Sequence, residues 1–116
     1  MTIQATYSAS LETVNPVTLT DTSQTTIYTA PDNYSILAGF KLVNTTGSAI
    51  AASCFHYTLA DTTNRVIYRK SVPANDTVEV DSVARPMRAG DIFKVTAAAD
   101  LVIVPVIMRR SSNQAV

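Results

Sequence analysis

Apolar and polar residues alternate with a period of two along much of this chain, most clearly in residues 35–44. The even positions there are apolar up to Asn44, namely Ile36, Ala38, Phe40 and Leu42. The odd positions are mixed, namely Leu37, Gly39, Lys41 and Val43. A two-residue period places alternate side chains on opposite faces of a β-strand. We therefore predict that the even set faces the core and that the odd set lies on a partly covered face.

Strand-like segments of this kind recur to the end of the chain. They are residues 11–20, 25–29, 35–44, 50–59, 65–71, 77–83, 92–97 and 101–108. Turn signals separate them every 8–12 residues, which is typical of a sandwich or barrel, and no segment has a helical stripe. The predicted fold class is all-β, a single antiparallel β-sandwich of about eight strands. Jelly-roll and immunoglobulin-like arrangements both fit this pattern.

Two of these segments, residues 77–83 and 101–108, allow finer predictions. In residues 77–83 we expect Val78 and Val80 to point inward, with Glu79 outward. Residues 101–108 are apolar at nearly every position, which is expected of a strand covered on both faces. Pro105 interrupts that segment and predicts a bulge or a free edge, because proline lacks a backbone donor.

The length of 116 residues fits one domain. We assign residues 11–108 to the sandwich, residues 1–10 to an N-terminal arm and residues 109–116 to a C-terminal tail. Such extended arms would become ordered on contact with a neighbour, at an entropic cost.

Composition narrows the classes of function. The formal net charge is zero and only 16% of residues are charged, which argues against nucleic-acid or membrane-surface binding. No segment approaches the ~20 apolar residues of a membrane span, and no secretory signal is recognisable, so we expect the chain to be used without export. Cys54 is the single cysteine, which leaves no intrachain disulfide.

Few residues of the chain are candidates for catalysis or metal binding. Cys54 and His56 lie two residues apart on one strand face, which could supply an activated thiolate or half of a zinc site. No second cysteine or histidine completes a metal site, so we interpret Cys54 as a buried small residue and His56 as half-exposed. The aspartates near turns are better explained by Asx turns than by calcium. We predict no catalytic, cofactor-binding or metal-binding residue, and no enzyme.

Some basic residues and tyrosines are candidates for contact with partners. The basic pairs Arg69-Lys70 and Arg109-Arg110 could dock onto an acidic surface; alternatively they are solvated strand ends that pair with Glu79 or Asp81 across a hairpin. Tyrosine is enriched at interfaces, and Tyr7 lies in the arm. The candidate contact residues are Tyr7, Tyr28, Tyr34, Arg69, Lys70, Arg109 and Arg110.

Four stretches together resemble a known group of proteins. They are TTIYTAP, FKLVNTTGSAIAAS, VPANDTVEVD and RAGDIFKVTAAA, within residues 25–108. This combination of turns and strands is similar to that of short β-sandwich structural proteins of tailed bacteriophage virions, of the capsid decoration (cement), neck or fibre type. The chain departs from the group's pattern after Pro31, where Asp32 and Asn33 replace a common Ala-Gly.

The resemblance implies a non-enzymatic structural protein, with a capsid decoration protein as the leading hypothesis. Its partners would be the major capsid protein or other virion proteins, and further copies of itself, with a trimer favoured. It would be made in the host cytoplasm and located in the virion, with no nucleic-acid or membrane partner. The alternatives are a head–tail connector, neck or tail-fibre component, and, in another class, a carbohydrate-binding β-sandwich, although the chain has no Trp for a sugar platform.

Overall fold

A computed structural model of the chain describes residues 9–81 and 83–110 and contains only β-strands as regular structure. The strands are β1 (Ala9–Glu12), β2 (Val17–Thr18), β3 (Thr25–Thr29), β4 (Ser35–Asn44), β5 (Ile50–Thr58), β6 (Thr63–Val72), β7 (Asp76–Val80), β8 (Arg85–Met87), β9 (Ile92–Thr96) and β10 (Leu101–Arg110). The predicted strands at residues 25–29 and 35–44 have these bounds in the structure.

The strands form two antiparallel sheets packed face to face. Sheet A has the order β1-β10-β4-β7, with β2 also beside β10 and β8 also beside β4. Sheet B has the order β3-β9-β5-β6. The prediction of an all-β antiparallel sandwich is therefore confirmed.

The core lies between the two sheets and is centred on aromatic rings. Phe40 of sheet A lies 4.9 Å from Phe93 of sheet B, and Tyr68 packs edge-on against Phe40 at 5.9 Å between ring centroids. Leucine, isoleucine and valine side chains complete the layer, including Leu37, Leu42, Val72, Val95, Leu101, Ile103 and Ile107. Val78 and Val80 pack partly buried against this cluster while Glu79 is exposed, as the alternation predicted.

A β-bulge changes the phase of β4. Leu37 lies opposite Ile107 and Gly39 lies opposite Val106, so that Ala38 has no partner on β10. An extra residue in one strand reverses the alternation of side chains beyond it. Gly39 is required at this point, because a Cβ atom there would lie 2.5 Å from the carbonyl oxygen of Val80.

The bulge corrects the predicted core face of β4. Phe40 and Leu42 are buried as predicted, but the prediction was wrong for Ile36 and Ala38, which are only half-buried. Ahead of the bulge it is Leu37 that enters the core, because the inward positions there are odd.

Several segments differ from their predicted bounds. The predicted strand at residues 11–20 is two short strands, β1 and β2, and β1 begins at Ala9 inside the predicted arm. β8, which contains Pro86, was not predicted, and β10 continues to Arg110. Pro105 lies opposite Phe40 on one side and the gap between β1 and β2 on the other, so its missing donor falls where no strand pairs.

Candidate functional site

His56 belongs to a buried polar cluster that joins the two sheets. Its Nε2 atom lies 3.1 Å from Oδ2 of Asp91, and its Nδ1 atom accepts a hydrogen bond of 2.9 Å from Nε of Arg85. Arg85 belongs to β8 of sheet A, whereas His56 belongs to β5 of sheet B. His56 is 6% exposed, so the prediction of a half-exposed side chain was wrong.

Asp91 holds this cluster and the neighbouring turn together. Burial acts to raise the pKa of Asp91, but hydrogen bonds from the Arg88 backbone, from His56 and from the Leu59 backbone outweigh it, so the pKa is lowered. The turn closes through a hydrogen bond from the Asp91 N–H to the Arg88 carbonyl, with Gly90 at a φ of 87°. The carboxylate is therefore an ionised structural anchor.

Cys54 lies on the same strand face as His56 but is not linked to it. Both ring nitrogens of His56 already have partners, and burial raises the pKa of the Cys54 thiol to about 12. A nucleophilic cysteine needs a lowered pKa, so this environment suits a buried small residue. Among residues 9–81 and 83–110, no group of three His, Cys, Asp or Glu side chains could hold a metal ion.

A second polar network surrounds Arg109, near the end of β10. The guanidinium donates to Oδ2 of Asp32 at 2.6 Å and to Oγ of Ser35 at 2.8 Å, which lowers the pKa of the Asp32 carboxyl. The Tyr28 hydroxyl lies 2.7 Å from the same Ser35 oxygen and also donates to Glu12. Tyr28 is only 7% exposed, and its pKa is raised by burial, so its ring is part of the interior.

The remaining predicted contact residues fall into two places. Arg110 and Tyr34 come together, with the guanidinium 5.7 Å from the ring centroid, at the end of sheet A where β10 finishes. Arg69 and Lys70 are exposed on β6, an edge strand of sheet B. Tyr7 lies outside the described residues. Glu79 does not pair with these basic residues; its carboxylate lies 3.6 Å from Lys41.

The outward side of sheet A is unusually apolar. The alternate side chains of β10 that do not enter the core are apolar as far as Met108, and their neighbours on β4 and β1 continue the same surface. We call this surface the outer A face; its apolar members are Leu11, Ile36, Ala38, Val43, Val102, Val104, Val106 and Met108, and the polar Thr18, Lys41, Thr77 and Glu79 lie on the same side of the sheet. The apolar side chains are half-buried, except Leu11, which is 69% exposed, and none belongs to the core cluster or packs against it.

No other part of the described chain covers the outer A face. β10 was predicted to be covered on both faces. Its inward residues Leu101, Ile103 and Ile107 are buried, but no described residue covers its outward apolar side chains, which are half-buried. Lys41, which lies opposite Val104 on β4, pairs with Glu79 of β7. The sequence signal for this surface is the apolar run at residues 101–108, which predicted a strand covered on both faces.

The outward side of sheet B, the outer B face, is mixed. It contains Thr26, Ser53, Phe55, Tyr57, Val66, Arg69, Ile92, Lys94 and Thr96. The Lys94 ammonium lies 4.5 Å from the centroid of the Tyr57 ring, so this apolar surface is partly covered by a charged side chain.

An open groove of about 670 Å³ lies between the edge strands β6 and β7. Its lining includes Tyr68 and Val78, the basic residues Lys70 and Arg85, and the acidic residues Glu79 and Asp81. Both signs of charge are represented, so the groove does not favour a strongly charged ligand.

No protein-family model, curated protein or solved structure matches the chain.

Within the described residues there is no helix, and hence none with the length and apolar character needed to cross a bilayer.

Proposed function

We propose that this chain is a non-enzymatic structural protein of a tailed-phage virion, with decoration of the capsid as its leading role. The observation that carries the proposal is the outer A face. Soluble monomers seldom expose a contiguous apolar surface of this kind, and such surfaces mark sites of protein contact. A virion component works by contacts of this type and needs no catalytic group.

The strand order supports a jelly-roll arrangement over an immunoglobulin-like one. β1 and β2 share one position in sheet A, as do β7 and β8, which leaves eight strand positions in two sheets. Of consecutive positions only β5 and β6 pair with each other, and every other connection crosses between the sheets. An immunoglobulin-like sandwich has several hairpins within its sheets.

Jelly rolls occur in viral capsid proteins, in lectins and in cupins, so strand order offers an analogy at the level of the fold. Two features of the sequence favour the first group. The four stretches within residues 25–108 resemble virion structural proteins, and the chain has no Trp for a sugar platform.

Mass spectrometry of purified virions tests the proposal. We expect this protein to remain with particles through density-gradient purification, at a copy number comparable with that of the capsid protein. A copy number of a few per particle would indicate the neck or tail alternative. Absence from purified particles would contradict the virion role, and specific binding of the isolated protein on a glycan array would then favour the carbohydrate-binding alternative.

A further inference from the structure

We propose that the outer A face is the interface between two copies of this chain, related by a two-fold axis that lies between the faces and runs across the strands. The inference rests on the proposed function, because it names a partner for the surface that carries that function. It leaves the exposed basic residues Arg69 and Lys70, on the other sheet, free for a different partner.

The outward side of sheet A has a size that suits such a pair. Ten residues of β10 at about 3.3 Å each, and four strand positions about 4.8 Å apart, give roughly 600 Å² for this side of the sheet, its polar positions included. Stable specific interfaces bury about 600 to 1,000 Å² per partner. The whole outward side of sheet A, and not its apolar residues alone, therefore reaches the lower end of that range.

The side chains of the outer A face can pack against the same side chains of a second copy. Its centre is made of apolar side chains, chiefly the row Val102, Val104 and Val106, which carries no charge. Lys41 on β4 lies opposite Val104 and pairs with Glu79 of β7, so each copy brings a neutral pair of side chains, and no isolated charge, to the contact. Two apolar sheet faces pack about 10 Å apart in the interior of any sandwich, and the same packing can form between two chains.

Charge at the two ends of the face selects the direction of the axis. The loops at the end where β10 starts carry Asp21, Asp76 and Asp100 and no basic residue. The other end of β10 carries the exposed Arg110, whereas the charge of its neighbour Arg109 is balanced by Glu12 and Asp32. An axis parallel to the strands would place like charges together, whereas an axis across them places Arg110 of each copy over Asp100 of the other.

The mass of the purified protein in solution is the first test. We expect light scattering behind size-exclusion chromatography to give about twice the 12.4 kDa of one chain at high micromolar concentration. Val104→Glu should weaken the pair by about 30-fold or more, because it places a charge at the centre of the apolar contact. The matched change Val66→Glu, on the outer B face, should leave the mass unchanged.

A monomer or a trimer of the unmodified protein would overturn the inference, and so would a pair that Val66→Glu disrupts and Val104→Glu does not. Circular dichroism of both variants verifies that they are folded. If Val104→Glu does not fold, Val104→Thr provides the test: it keeps the shape of the side chain and should weaken the pair measurably.

Arg110 tests the direction of the axis. Arg110→Glu should weaken the pair by about tenfold at low salt and less at high salt, since an exposed rim pair is screened. Adding Asp100→Asn to that variant should restore part of the loss, because it removes the repulsion between Asp100 and the carboxylate introduced at position 110. A loss that is independent of salt, or no loss, would contradict an axis across the strands.

The two proposals can fail separately. A monomeric protein that is abundant in purified virions would contradict the pair and leave the virion role intact. A protein that pairs through the outer A face and is absent from virions would contradict the role and leave the pair intact.

Discussion

The outer A face and the outer B face are made from antiparallel strands of the same spacing, yet their side chains differ in kind. On sheet A the outward positions of the central strand β10 are as apolar as its inward ones as far as Met108. On sheet B the outward positions mix threonine and serine with large apolar residues such as Val66, and the Lys94 ammonium lies over the Tyr57 ring. The more apolar of the two surfaces, the outer A face, is the one that we propose to contact protein.

The comparison shows that the described chain buries only one face of a strand whose residues are apolar on both faces. Burial in the core accounts for Ile103 and its inward neighbours, but nothing in the described chain accounts for Val104. Substitutions on the two faces can separate the contribution of each face to folding from its contribution to association.

Adjacent residues of β10 should differ sharply in their effect on folding. Ile103→Ala removes a fully buried side chain between the sheets and should lower the free energy of unfolding by about 3 kcal/mol. Val104→Ala should lower it by less than about 1 kcal/mol in dilute protein, because that side chain lies outside the core. Urea denaturation measures both. Equal losses would mean that the outer A face is needed for folding itself.

The charged groups of the two sheets should also differ. Asp91→Ala leaves His56 and the turn N–H groups unpaired in the interior, and should cost about 3 kcal/mol. Glu79→Ala breaks only the exposed pair with Lys41 on sheet A and should change stability by less than about 0.5 kcal/mol. Thermal melts monitored by circular dichroism distinguish these values; a neutral Asp91→Ala would contradict an anchoring role.

The bulge that shapes the outer A face can be tested at its glycine. Gly39→Ala places a methyl group against the Val80 carbonyl and should cost about 2 kcal/mol through strain in β4 or β7. Gly47→Ala is a matched control, because a Cβ atom at that position has no neighbour within 4 Å. Chemical denaturation of the two variants should give a clear loss for the first and almost none for the second.

The smallest expected effect is on acid stability. The pKa of Asp91 is lowered in the folded protein, so its stabilisation is fully present above the ordinary carboxyl value of about 3.9 and declines as pH falls below it. Asp91→Asn should therefore be less stable at neutral pH and lose less on acidification. Unfolding curves between pH 6 and pH 3 measure the slopes, and parallel slopes would contradict this contribution.

The sequence predicted the sandwich well because strand alternation and turns are local signals. β3 and β4 were predicted to the residue, and Cys54 was correctly placed inside. The misassigned Ile36 and Ala38 depend on a bulge, which is set by pairing with β10 and by the approach of Val80. The local sequence pattern contains information on neither the pairing with β10 nor the approach of Val80.

The candidate surface was harder to predict for a related reason. An apolar position is equally consistent with the core and with an interface, and only the strand order shows that no layer of residues 9–81 and 83–110 lies above Val104. His56 was judged half-exposed because its partners Arg85 and Asp91 are 29 and 35 residues away in sequence. Tyr28 and Arg109 likewise meet only through the fold.

Cysteine labelling tests most directly whether the outer A face is a contact surface. Val104→Cys and Val66→Cys place one thiol on each outer face, while the native Cys54 is buried with a pKa of about 12 and should stay silent at pH 7. In concentrated protein or in purified virions, a maleimide should label Val66→Cys rapidly and Val104→Cys at least about tenfold more slowly, because a contact excludes the reagent. Equal labelling rates would contradict the account.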